Sequence, residues 1–172
     1  MDILSFPDRT KSRNTCVITL VDSWTKWCEA FPLPNHEAVT VAGCLVTEVF
    51  LRFGAPKTLH TDRGPEFTSN LIKEMCRLFQ MDKTTTTPYR PQSDGLAERM
   101  NRNIIDLLFK FVSENLEDWD EHLPYIMAAY RATVQEPTKC TSNLLMLGRE
   151  TNMPIDLIYP LPRNQEMPCQ IE

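Results

Sequence analysis

The run Cys16–Val21 (CVITLV) constrains the fold more than any other stretch of the chain. Four of its six residues are β-branched and no polar/apolar alternation interrupts it, so it reads as a strand covered on both faces. A strand of that kind sits inside a sheet with helices packed on either side. The neighbouring runs supply the rest of such a sheet. DILSF (residues 2–6) is a short apolar strand ended by Pro7-Asp8, and the polar stretch 8–14 makes a hairpin connection. Residues 27–33 form a third strand, stopped by Pro32 and Pro34. Asn35 then caps a helix that turns Val39, Ala42, Val46, Val49 and Phe50 inward and ends at Gly54. KTLHT (57–61) is a fourth strand. A helix capped by Ser69 or Thr68 follows through Leu71, Ile72, Met75, Leu78 and Phe79, and Thr84–Thr87 is a fifth strand. Helical spacing returns over about 95–114 and 119–133. The expected fold is α/β: a mixed five-stranded sheet, three antiparallel meander strands then two parallel ones, flanked by helices.

With 172 residues, 42% of them apolar, the chain has enough core for one domain, placed at 1–150, and the proline-containing stretch 151–172 reads as an extended tail. No run approaches the ~18 apolar residues of a membrane span. The six cysteines show no paired spacing, so they are expected to be reduced core residues, and zinc is not expected. The net charge of −5 speaks against nucleic acid, yet it is unevenly spread. Residues 57–110 carry nine Lys/Arg against seven acids, a balance of +2, while 111–172 carry four against ten, a balance of −6. Cations bound by the middle acids would make that region more positive still.

Two carboxylates in that middle region stand out. Asp62 (in HTDRGPEF) follows the fourth strand, and Glu98 (in PYRPQSDGLAERMNR) lies in the first turn of the 95–114 helix, with 35 residues between them. Carboxylates brought together on rigid elements are oxygen ligands for hard cations such as Mg²⁺ or Mn²⁺, and a pair of such ions performs phosphoryl transfer. Taken singly, Asp62 could be a turn residue and Glu98 an acid complementing a helix dipole. Their joint spacing within these flanking motifs favours the metal reading. From the same helix, Arg99, Asn101 and Arg102 can reach a phosphate backbone. His60 is read as a strand histidine, and Trp24, Trp27 and Trp119 as core or interface aromatics.

The segments VDSWTKWCEAFPLP, FLRFGAPKTLHTDRGPEF, TTTTPYRPQSDGLAERMNR, DWDEHLPYIMAAYRAT and LGRE, in this order, resemble the catalytic core of retroelement integrases, nearest the gypsy-type retrotransposons, within the ribonuclease H-like superfamily. The resemblance implies a catalytic and metal-holding triad of Asp2, Asp62 and Glu98, two Mg²⁺ (or Mn²⁺) ions, and attack by water or a DNA 3′-hydroxyl on a DNA phosphodiester. Asp22, at the end of VITLVD, competes for the first place. Asp2 is preferred because the family's first aspartate lies on the first strand. Tyr89 and Gln92, in a loop 88–95 expected to close over the site, match positions that touch DNA in the family. The helix 119–133 matches a dimer surface, which implies a homodimer or higher oligomer.

The implied partner is DNA, not a membrane or a small molecule, and the implied location is the nucleus after passage through the cytoplasm. Departures from the family pattern are Ser5-Phe6 after the first strand, Arg131 in place of an Asn, and Lys139 and Ser142 before LGRE. The family's zinc-binding and basic flanking modules have no counterpart here, so a fragment of a polyprotein is expected. The alternative is a domesticated, non-catalytic interaction module that retains the fold. A ribonuclease H acting on RNA–DNA hybrids is a third reading, which the PQSDGLAER helix entry disfavours.

Overall fold

Strands β1 (Asp2–Ser5), β2 (Cys16–Val21) and β3 (Cys28–Leu33) form an antiparallel sheet in the order β1-β2-β3. The computed structural model describes residues 1–85, 101–102, 105–106 and 117–152. Register is set by Asp2 opposite Thr19 on one side of β2 and Thr19 opposite Ala30 on the other. Because side chains alternate along a strand, β2 feeds two cores. Cys16 and Ile18 join Leu33, Val41, Leu45, Phe67 and Ile72 on one face. Val17 joins Cys28, Ala30, Trp119, Leu123, Ile126 and Met127 on the other. The apolar run is therefore a central strand covered twice, as its composition requires.

Helix α1 (Ala38–Cys44) continues without a break through a π-helical turn, Leu45–Phe50, and a last turn, Leu51–Phe53, before Gly54 (φ 84°) ends it. Asn35 organises its start: its Oδ1 accepts from the Glu37 N–H (3.0 Å) and the Thr40 hydroxyl (2.7 Å). Val39 does not face inward as the sequence suggests; it is 70% exposed. The buried stripe runs through Val41, Ala42 and Leu45, and at about 100° per residue Val39 falls on its far flank.

Strand β4 (Thr58–Thr61) leads into α2 (Pro65–Thr68) and α3 (Asn70–Leu78), and the chain returns as β5 (Asp82–Thr85), parallel to β4. The side chain of Ser69 accepts from the Ile72 N–H (3.3 Å), which makes it the cap of α3. β5 begins two residues earlier than its threonine run suggests. The strands form two ladders, of three and two, and the Met1 ammonium donates to the His60 carbonyl (3.0 Å), setting the start of β1 beside β4.

Helix α4 (Trp119–Ala132) covers the second face of the sheet. Trp119 is fully buried and stacks on Phe6 at 4.6 Å, while Trp24 at the β2–β3 turn is 75% exposed. Arg131 explains its own departure from the family pattern. Its guanidinium bonds buried Glu29 (3.0 Å), reaches the Cys28 carbonyl (3.3 Å) and lies over the Trp27 ring (4.6 Å). Arg52, from the end of the first helix, approaches the same carboxylate at 3.5 Å. A charge that enters this edge of the sheet is thus paired from two helices. Helix α5 (Ser142–Leu147) is likewise pinned to the β2–β3 turn, since buried Ser142 donates to the Lys26 carbonyl (2.9 Å). Thr141 and Asn143 bond Glu150 and Thr151, so the chain is packed up to that point, and most of the expected tail, residues 153–172, lies outside the described residues. Among the described residues no helix is long and apolar enough to cross a membrane.

Cys16, Cys28, Cys44 and Cys76 are free thiols, but Cys140 is disulfide-bonded, a correction to the expectation of six reduced cysteines. Spacing along a sequence carries no Cα–Cα distance, which is what decides pairing. Burial above all pushes the thiols of Cys28 and Cys44 up to about 12 from 9.0, with Glu29 and Glu48 adding to the rise. The unfolded chain therefore loses these protons first, and stability should fall as pH rises from 9 towards 12. For fully buried Cys28 the slope approaches ~1.4 kcal/mol per pH unit. Urea midpoints measured between pH 9 and 11 should fall less steeply in Cys28→Ala than in the wild type; equal slopes would contradict the assignment.

Candidate metal centre

Asp2 and Asp62 arrive from adjacent strands at one end of the sheet. Asp2 is the first residue of β1, and Asp62 directly follows the last residue of β4. Their proximity has an electrostatic signature. The carboxyl of Asp2 titrates above its ordinary value of 3.8, first because it is partly desolvated and also because the charge of Asp62 opposes its ionisation. The Ile3 N–H, the Met1 ammonium and the Asn101 amide act in the opposite sense.

Each carboxylate is held in place. Asp2 accepts from the Ile3 N–H on Oδ1 (2.8 Å) and from the Asn101 amide Nδ2 on Oδ2. Asp62 Oδ1 accepts from the Gly64 N–H (3.0 Å), a short turn that aims the side chain. The Glu66 carboxylate packs against Gly64, where a Cβ would lie 2.5 Å from Glu66 Oε1, so a larger residue there would have to push that side chain aside.

Asn101 has a different place from the one its sequence position suggests. Instead of facing a DNA backbone, this helical residue is 5% exposed and spends its amide on Asp2 and Thr19. The physical reason is that the sheet end offers it two partners, a carboxylate to receive its N–H and a hydroxyl to satisfy its carbonyl oxygen. Arg102, next in the chain, is exposed. Glu98, Tyr89, Gln92 and Arg99 lie outside the described residues. Among the described residues no group of three His, Cys, Asp or Glu forms a metal cage.

Asp22 is separate from this centre. Its Oδ2 accepts both the Thr25 N–H and the Thr25 hydroxyl, each at 2.7 Å, and so shapes the turn between β2 and β3. Thr19 is the residue that sequence reasoning passed over. It carried one signal, being the only hydroxyl in an otherwise apolar run.

The donor set suits a hard divalent cation. Two carboxylates stand close enough to repel, each fixed by backbone or amide N–H donors, and a cation between them would relieve that repulsion.

A meander of three strands, two parallel strands beyond it, helices on both faces and aspartates at one sheet end define a ribonuclease H-like fold. Comparison with known proteins narrows this class. The family described as "Integrase core domain" matches residues 1–91, more than half of the chain. The chain belongs to the integrase core domain family.

A Drosophila melanogaster protein, the retrovirus-related Pol polyprotein from transposon 412, is 28% identical over 146 residues, covering 85% of this chain and 12% of that protein. The Pol polyprotein of Radiation murine leukemia virus (strain Kaplan) is 40% identical over 117 residues, covering 67% and 20%. The chain thus spans well under a quarter of the length of these relatives, which come from a transposon and a retrovirus alike. Among solved structures, the catalytic core domain of BIV integrase superposes with a TM-score of 0.64 at 26% identity, covering 86% of this chain and 92% of that one. The HTLV-2 integrase catalytic core domain in complex with magnesium (trimeric form) shares the fold at a TM-score of 0.64 and 21% identity, covering 82% and 90%. A chain of the simian T-cell lymphotropic virus intasome, in complex with a PP2A regulatory subunit, does so at 0.70 and 22%, covering 97% and 56%.

Proposed function

We propose that this chain is the catalytic core of an integrase that trims and joins DNA ends by metal-dependent polynucleotidyl transfer, from an element of gypsy type. The observation that carries the reading is the pairing of Asp2 with Asp62 at the sheet end of a chain in the integrase core family. Glu98 completes the triad; it stands three positions before Asn101 in the sequence. Asp2, Asp62 and Glu98 are the residues that would hold Mg²⁺ or Mn²⁺ ions, which would supply activation of the attacking oxygen and stabilisation of the leaving one. The Gly64 N–H and the Asn101 amide hold the two aspartates in the orientation they need. No residue of the chain becomes covalently attached to DNA.

Exposed Arg102, with Arg99, Tyr89 and Gln92, contacts the DNA, and the excess of cations in residues 57–110 supports docking there rather than on the acidic C-terminal third. A homodimer or larger assembly uses α4, whose Tyr125 is 76% exposed, and such an enzyme works in the nucleus. The magnesium of the HTLV-2 core and the intasome state of the simian T-cell lymphotropic virus protein lend support to the cofactor and the DNA partner.

The test is a disintegration-type reaction on a branched DNA that mimics the joined product. With Mn²⁺ or Mg²⁺ the chain should resolve the branch, and with the cation chelated it should not. Resolution that persists in chelator, or that survives Asp62→Asn, would overturn the reading, and DNA binding without any resolution would favour the non-catalytic alternative.

A further inference from the structure

We propose that Thr19 is a positioning residue of the metal centre, whose hydroxyl fixes the Asn101 amide so that Nδ2, not Oδ1, faces Asp2. The inference rests on the metal reading above and adds a residue to it. Thr19 is fully buried on the central strand, directly opposite Asp2 in the ladder. Opposed residues in an antiparallel pair project to the same side, so Asp2 and Thr19 share one face of the sheet, and Asn101 closes over both. The Thr19 hydroxyl donates to Asn101 Oδ1 at 2.8 Å and lies 3.2 Å from the Asp2 carbonyl oxygen.

A primary amide has a donor end and an acceptor end of nearly the same shape, and only its partners decide which way it points. Turned over, Asn101 would set its carbonyl oxygen against the Asp2 carboxylate. With the hydroxyl donating to Oδ1, the amide N–H is committed to Asp2 Oδ2, and Oδ1 of Asp2 is committed to the Ile3 N–H. Both carboxylate oxygens are thereby fixed in direction, each keeping lone pairs for a cation. Groups that orient a metal-binding side chain typically change metal affinity by ~10–100-fold when removed.

The test uses the chain as it stands and Mn²⁺ alone as the probe, with affinity read by calorimetry and by the loss of the free-ion paramagnetic resonance signal. Thr19→Val keeps the shape and removes the hydroxyl; it should weaken Mn²⁺ binding by at least about 10-fold. Thr19→Ser restores the hydroxyl and should bind within about threefold of the wild type, by the same reasoning. Thr19→Cys matches serine in size but is a poor donor, so it should follow valine, and the Ser/Cys pair gives the answer even if the valine variant does not fold. If Ser and Cys bind alike, the hydroxyl does not position the site and the proposal falls. If the wild type itself binds no Mn²⁺ that Asp62→Asn removes, the metal reading falls, and this inference with it.

Discussion

Millimolar Mn²⁺ or Mg²⁺ is expected to raise the melting temperature of the wild-type chain, and Asp62→Asn to abolish the rise. The cations bind the folded site and not the unfolded chain, so at 100 times the dissociation constant they stabilise by about 2.7 kcal/mol. For a domain of this size that corresponds to roughly 5–10 °C. The substitution should also show its effect without metal, because replacing Asp62 removes the charge that opposes ionisation of Asp2. In chelator, Asp62→Asn should therefore melt at or above the wild-type temperature, and only in metal should it melt below. A general destabilisation by the substitution would lower both. The pH dependence has a definite sign. Asp2 has its folded pKa raised, so its ionisation costs the folded state nothing below about the ordinary value of 3.8 and the full amount above the raised value. The cation offsets that cost and competes with the proton, so the metal-induced gain should grow as pH rises through the raised pKa of Asp2. A gain of equal size in Asp62→Asn would place cation binding on exposed acids elsewhere in the chain.

What the sequence revealed, and what it did not, divides along physical lines. The central strand was legible because an uninterrupted β-branched run permits little else, and Ser69 because a cap is a local hydrogen bond, to a residue three further on. The turn at Asp62 was legible because D-R-G follows a strand, and the aspartate accepts from the Gly64 N–H only two residues on. Long-range partnerships were not. The register that sets Asp2 against Thr19 passes through an irregular connection in which Arg13 takes φ 69°, and no rule of turn chemistry fixes such a pairing from residue types. The burial of Asn101 depends on that register, which is why a residue between Arg99 and Arg102 in the sequence looked like a surface contact. Arg131 and Ser142 looked like departures from a pattern, and each has a partner more than one hundred residues away, in Glu29 and in the Lys26 carbonyl. Lys139 takes φ 55°, a left-handed conformation within the loop that leads to Thr141.

Exchanging the two candidate aspartates should separate them by orders of magnitude. On branched DNA with Mn²⁺, Asp2→Asn should lower the rate of resolution by about 10³-fold or more, since a lost ligand removes charge stabilisation needed in the transition state. Asp22→Asn should stay near the wild-type rate. The argument is geometric. Asp2 faces Thr19 across the ladder, and Asp22 lies three residues beyond Thr19 along the strand, about 10 Å away at ~3.4 Å per residue. Its Oδ2 is also engaged twice by Thr25. An asparagine at 22 retains one side-chain acceptor for that turn, so its effect should be on stability, about 1 kcal/mol or less, and not on rate. Measuring both quantities on both variants keeps the two kinds of loss apart. Asp2→Asn should fold with its metal response weakened, and Asp22→Asn should keep its metal response with a slightly lower melting temperature. The opposite ranking of rates would mean that the reacting phosphate sits at the β2–β3 turn, and the centre at Asp2 and Asp62 would have to be given up.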